Sequence, residues 1–242
     1  MVRRDRLLLC PLVVLAGCVT EPWQKEMPPA SGATPLAFGW SDTAGWPDRA
    51  HDVYGLRLGI SSRHHSVVGL DVNGIGVTDA MSGGLAFAFA RNEARDGFIG
   101  AQVALGWNIV TPLSPENAPN KLWGAQVALG INFADVNGLQ VGGWNGMPHT
   151  HDDDGSTVRG AQFGLFDGAG DLCGLQCAAL TAWADTAYGV QVAPWNVAEH
   201  VYGLQVGLFN VATKGGGLQI GLLNWNKSGI LPVFPLLNFS VR

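Results

Sequence analysis

Between residues 53 and 226, apolar and polar positions alternate in short runs, and the runs repeat. The clearest pair is GLQVGLFN (203–210) followed by GLQIGLLN (217–224), 14 residues apart. Anchored on the glycine that opens each run, the chain holds eleven units, at Gly55, Gly69, Gly84, Gly100, Gly124, Gly138, Gly160, Gly174, Gly189, Gly203 and Gly217. One residue after the anchor is aliphatic and three after is apolar throughout; four after is Gly or Ala everywhere except at Asn73. A period of two predicts β-strands, and the β-branched and aromatic residues in these slots suit them. The Asn, Asp, Gly and Lys that close each unit are turn formers. Each unit is therefore predicted as one strand of roughly six to nine residues plus a turn.

Two polar columns cut through this apolar pattern. Two residues after the anchor stands Gln102, Gln126, Gln140, Gln162, Gln176, Gln191, Gln205 and Gln219, preceded in the first three units by Arg57, Asp71 and Ala86. Seven after stands Asn145, Asp167, Asn196, Asn210 and Asn224. A β-solenoid explains them: parallel rungs ~4.8 Å apart stack equivalent residues, so amides can hydrogen-bond along the column. The alternative is an antiparallel up-and-down β-barrel, with the aliphatic residues toward lipid and Gly, Gln and Ala inside. Tyr54, Trp123, Tyr188 and Tyr202 would then contribute to an aromatic girdle. Antiparallel neighbours put equivalent residues at opposite ends, which leaves a repeated mid-strand glutamine without a role. The solenoid is the preferred reading: all-β, tandem repeats of 14–15 residues over 53–226, closed by a cap at 227–242 that contains Pro232 and Pro235.

The amino terminus reads differently. Arg3, Arg4 and Arg6 precede the short apolar run Leu7–Val14, and Leu15, Ala16, Gly17 and Cys18 follow. This resembles the bacterial lipoprotein signal, which implies removal of residues 1–17 and acylation of Cys18. Several acyl chains together anchor firmly where one does not. Val19 in place of Asp favours the outer membrane by analogy with enterobacterial sorting. Residues 18–52 then form a lipidated start and a flexible tether, richest in Pro, Ser and Gly up to Pro35.

Composition narrows the partners. Glycine, at 34 of 242, is about twice its ordinary ~7% share. The chain holds 14 Lys+Arg against 19 Asp+Glu, and loss of the signal leaves 11 against 18. No basic patch stands out, which argues against nucleic acid. Cys173 and Cys177 remain after Cys10 and Cys18 are set aside; in an extended strand they lie too far apart to pair, so they are either bridged across a turn or two small buried thiols.

Candidate chemistry is sparse. His149, His151, Asp152, Asp153 and Asp154 offer metal-ligand types in a long loop, although a solvated acidic loop tip is the simpler reading. His64 and His65 read as an exposed polar corner. Trp107, Trp144, Trp183, Trp195 and Trp225 read as core, or, if exposed in line, as a stripe for glycan or lipid. No catalytic motif, cofactor or enzyme activity is expected.

The run GLQVGLFN, GLQIGLLNWN and SGILPVFPLLNF resembles a spirochaete-type surface-repeat family of bacterial envelope proteins, over about residues 53 to 239 and most strongly from Gly189. The resemblance implies an envelope location and tandem repetition and supplies no catalytic residues. The expectation is a lipid-anchored envelope protein with a structural or interaction role, contacting the membrane through Cys18, with another envelope or host surface component as the candidate partner. The alternatives are a small outer-membrane barrel or apolar-ligand carrier and, beyond those, a polysaccharide-acting enzyme.

Overall fold

A computed structural model describes residues 30–110, 121–146, 156–229 and 231–240. The chain is a β-solenoid of about 12 turns and not a barrel. Successive units pair in parallel and in sequence order. The register is that of the repeat: Gly189 lies beside Gly203, Gln191 beside Gln205, and Asn196 beside Asn210. The strand Val158–Val192 alone carries three anchor glycines.

The anchor glycines explain why the units stack so closely. They adopt φ between +109° and +159° from Gly55 to Gly203, a region that L-residues rarely enter. A Cβ on Gly138 would also collide with the carbonyl oxygen of Gly124 in the rung before, and the collision recurs up the column.

The solenoid begins earlier than the sequence predicts. Gly32–Ser41, assigned to the tether, forms a strand that pairs in parallel with His51–His64, with Ala37 beside Arg57. It supplies a rung beyond the eleven anchored units. Its carbonyl at Pro35 lies where an anchor glycine's carbonyl lies in later rungs, against Gly55. Proline there hid the rung from a search keyed on glycine. A short strand, Ala44–Trp46, folds back antiparallel over its end. At the other end Val233–Phe239 lies antiparallel across Leu218–Asn226 and covers the edge of the last rung.

The interior is small and polar. Its apolar part consists mainly of Ala and Val, with Leu122, Leu172 and Phe98. The larger apolar side chains point outward, which corrects the expectation for tryptophan: Trp107, Trp195 and Trp225 are exposed, and Trp144 and Trp183 are half-buried.

Candidate interaction surface

The inward-facing glutamines form one continuous ladder. Gln126 Nε2 donates to Gln102 Oε1 at 2.9 Å, and the same bond links Gln140, Gln162, Gln176, Gln191, Gln205 and Gln219 each to the rung before at 2.8–2.9 Å. All eight are buried. The amide nitrogens of Gln162, Gln176 and Gln219 also reach the carbonyls of Gly168, Trp183 and Trp225. A carbonyl only accepts, so these contacts fix which way the amides point.

A second ladder runs in the opposite sense. Asn92 donates to Asn108, Asn108 to Asn132, Asn132 to Asn145 and Asn145 to Asp167, each toward the following rung at 2.7–3.0 Å. Each amide also donates to a backbone carbonyl of the next rung, Val103, Val127, Val141 and Phe163 in turn. Asn196, Asn210 and Asn224 continue the column. Between Asp167 and Asn196 the position falls to Ala182, paired with Asn196. Asp167 Oδ2 and Asn196 Oδ1 face this gap in the column without hydrogen-bond partners. Burial pushes the Asp167 carboxyl up to about 6, against hydrogen bonds from Asn145 and the Cys177 backbone.

Sequence reasoning missed Asn92, Asn108 and Asn132. They follow their anchors by eight residues, because each rung carries one extra residue at an irregularity in register such as that between Ala128 and Ile131. It also left Asp71 alone. In the fold Asp71 sits beside Arg57 in the glutamine column and takes a bidentate pair, Nε to Oδ1 at 2.7 Å and Nη2 to Oδ2 at 2.5 Å. Arg57 Nη1 donates to the Val77 carbonyl at 2.8 Å. The pair fills the column where amides are missing.

With the amides inside, the outside is apolar. From Gly100 onward no charged residue lies between an anchor glycine and the buried Asn, Asp167 or Ala182 that ends its arc. Five residues after the anchor, Leu129 is 76% and Leu222 62% exposed. Aromatic residues line the corner of this arc and recur on its other margin, which also carries Asn137 and Arg159. Tyr188 and Tyr202 stack at 4.8 Å on the side before the glycine. Trp144 packs against Phe166, and Trp195 against Phe209, both at 5.4 Å, where the arc turns its corner. Polar residues gather instead in the return turn between rungs: Asp135, Asp171, Asp185, Glu199, His200 and Lys214. Eight rungs at ~4.8 Å, and five residues per rung at ~3.3 Å, give a face of about 600 Å². Monomeric soluble proteins rarely expose contiguous apolar patches beyond a few hundred Å² unless they bind something.

The first rungs differ. Arg63 pairs with Asp79 at 2.7 Å, Arg95 with Asp79 at 3.3 Å and with Glu93 at 2.7 Å, and Arg91 with Glu93 at 3.2 Å. Glu93 lies in register with Ile109 of the next rung, where this outward strip becomes apolar. Beside the network is a cavity of about 360 Å³ lined by Gly39, Asp42, Pro47, Arg49, Arg63 and His64. His64 is not the exposed corner predicted. It is 2% exposed, both ring nitrogens lack partners, and burial, then the Arg57 charge, pushes its pKa down to about 4. His65 pairs with Asp52 at 2.7 Å.

The remaining candidates separate clearly. Cys18 and the histidine–aspartate run His149, His151, Asp152, Asp153 and Asp154 lie outside the described residues. Among the described residues no His, Cys, Asp or Glu cluster could hold a metal, and no helix is long and apolar enough to cross a membrane. Cys173 and Cys177 are free thiols. Neither alternative read from the sequence holds: they are not bridged, and they are not a small buried pair, because Cys173 is exposed and Cys177 half-buried on the outward side of its strand. Comparison with protein-family models, with curated proteins and with solved structures finds no match.

Proposed function

We propose that this chain is a lipid-anchored protein of the bacterial envelope, held at the outer membrane through Cys18, and that its solenoid is a non-catalytic interaction platform. The observation that carries the reading is the continuous uncharged outer face, repeated from rung to rung. A rod that displays one apolar strip over eight successive rungs is built to lie against a surface. The buried polar groups support the same reading, since the ladder amides bond to one another and to backbone. The resemblance of the tandem GLQ units to envelope surface repeats, and of LAGC (15–18) to a lipoprotein signal, supports an envelope location for that surface.

The test is chemical. The full chain is expressed in a Gram-negative host fed an alkyne fatty acid, and the purified protein is analysed by mass spectrometry. The expected product begins at Cys18 and carries acyl chains, and Cys18→Ala removes the label. An unlabelled chain, or one that starts elsewhere, overturns the anchor.

A further inference from the structure

We infer that the outer apolar face is occupied by lipid: the rod lies along the bilayer surface, with that face in the acyl–headgroup boundary and its return turns toward water. The inference rests on the envelope reading for which membrane is met, and on the face itself for the contact.

Four observations favour lipid over a protein partner. First, from Gly100 onward the face carries no charge and almost no hydrogen-bonding side chain, whereas a protein interface mixes apolar anchors with polar groups and a polar rim. Second, aromatic residues follow the corner margin of the flat arc, among them Trp144, Phe166, Trp195 and Phe209, and on the other margin Trp123, Tyr188 and Tyr202 stand beside Arg159. Tyr and Trp take this place at a membrane interface, ring in the apolar layer and polar tip at the headgroups. Third, the closing strand Val233–Phe239 exposes Phe234, Leu236, Leu237 and Phe239. A terminal cap in water needs a polar outer face, so this one suits a rod whose flank is not in water. Fourth, Gly32, where the solenoid starts, lies 14 positions after Cys18. At ~3.3–3.6 Å per residue that segment reaches at most about 50 Å, which keeps the rod within contact of the anchoring leaflet.

Lying flat also leaves the backbone satisfied. Lateral hydrogen bonds join every rung to its neighbours. The face therefore offers lipid side chains without an open sheet edge, the condition that any lipid-facing β-structure must meet. With its charges in the return turns and at the margin position of Arg159, the rod has the amphipathic division of an interfacial helix, built from strands.

The protein carries its own probe. Cys177 sits on the apolar arc three residues after Gly174, while Thr213 sits in a return turn. The acylated full chain and its Thr213→Cys variant, both carrying Cys173→Ser so that Cys177 is the native thiol read, are reconstituted in vesicles of phosphatidylethanolamine and phosphatidylglycerol, then treated with a membrane-impermeant maleimide. Cys177 is expected to react at least tenfold more slowly than the thiol at 213, and to recover when the vesicles are dissolved in a short-chain detergent that exchanges freely. A Leu129→Glu, Leu165→Glu double variant with unchanged circular dichroism is expected to restore Cys177 labelling in vesicles. Equal reaction at the two thiols in vesicles overturns the inference. So does protection of Cys177 that persists in the detergent, which means that a second copy or another protein covers the face.

The two readings fail separately. A Cys18→Ser mature chain is expected to float with added vesicles through the face alone. If it stays in solution while the acylated chain is membrane-bound with Cys177 reactive, the lipid face is wrong and the anchor stands. If Cys18 proves unacylated yet Cys177 is protected in vesicles and released by detergent, the anchor is wrong and the lipid face stands.

Discussion

Asp167 occupies a position that asparagine fills in seven other rungs, and the difference is one donor. Its neighbour Asn145 donates to it at 2.7 Å, but a carboxylate has nothing to pass on, and Ala182 in the next rung has nothing to receive. The carboxyl is fully buried, and burial lifts it from 3.8 to about 6. Below the unfolded value both states are protonated and the group costs nothing. As pH rises from about 4 to 6 the unfolded chain ionises first, so stability falls, and above about 6 the penalty is complete at about 3 kcal/mol. Asp167→Asn removes the charge and supplies the donor that the other members direct at a backbone carbonyl of the next rung. It is expected to raise the urea midpoint at pH 7.5 by the equivalent of ~2–3 kcal/mol and to leave it nearly unchanged at pH 4. Equal gains at both pH values would mean that the carboxyl is not the source.

At the scale of the strand, the glycine column decides how close the rungs come. Gly138 has φ +149° and faces the Gly124 carbonyl, so an added Cβ meets both a disallowed backbone region and a filled space. Gly138→Ala is expected to cost roughly 3 kcal/mol or more, read as a lowered denaturation midpoint, while Gly143→Ala, at an ordinary φ and with the nearest carbonyl oxygen at 2.7 Å from the added Cβ, costs less. The strands, their parallel register and the glutamine ladder were legible in the sequence because all three follow from one repeat length. Amides spaced by one rung can only be neighbours when rungs stack in register. The asparagine ladder was half legible, since the extra residue before Asn108 and Asn132 moves them off the count without moving them off the column. The Arg57–Asp71 pair was not legible at all, because opposite charges 14 residues apart become partners only once the register is known.

At the scale of the whole molecule, a period of two says which residues share a side and not which side is inside. Burying the largest apolar residues is the ordinary rule, and it sends tryptophan to the core. Here the core is too narrow for them: Ala, Val and the two amide ladders fill most of it, and most large side chains are left outside. The facing expected of a barrel, with aliphatic residues out and glutamine in, is thus realised by a solenoid.

The ends of the rod follow from the same geometry. Every rung offers an edge of backbone donors and acceptors to the next, and the last offers its edge to Val233–Phe239, from Leu218↔Phe239 to Trp225↔Val233. Removing residues 227–242 uncovers that edge, and an uncovered strand edge recruits another. The amino-terminal end stays partly shielded, since Ala44–Trp46 folds over Phe38–Ser41. One open end of each molecule can meet only the same end of another, and an antiparallel pairing like the native one satisfies both. The truncated chain is therefore expected to form a closed two-fold dimer and not a fibre. The measurement is sedimentation velocity in a mild detergent that covers the lateral apolar face, so that only the ends are free. The full chain is expected to remain a monomer and the truncated chain to shift to a dimer of about twice the length. A truncated chain that stays monomeric would mean that the closing strand contributes local packing and does not seal the array; species growing beyond the dimer would mean that the first rung is as open as the last.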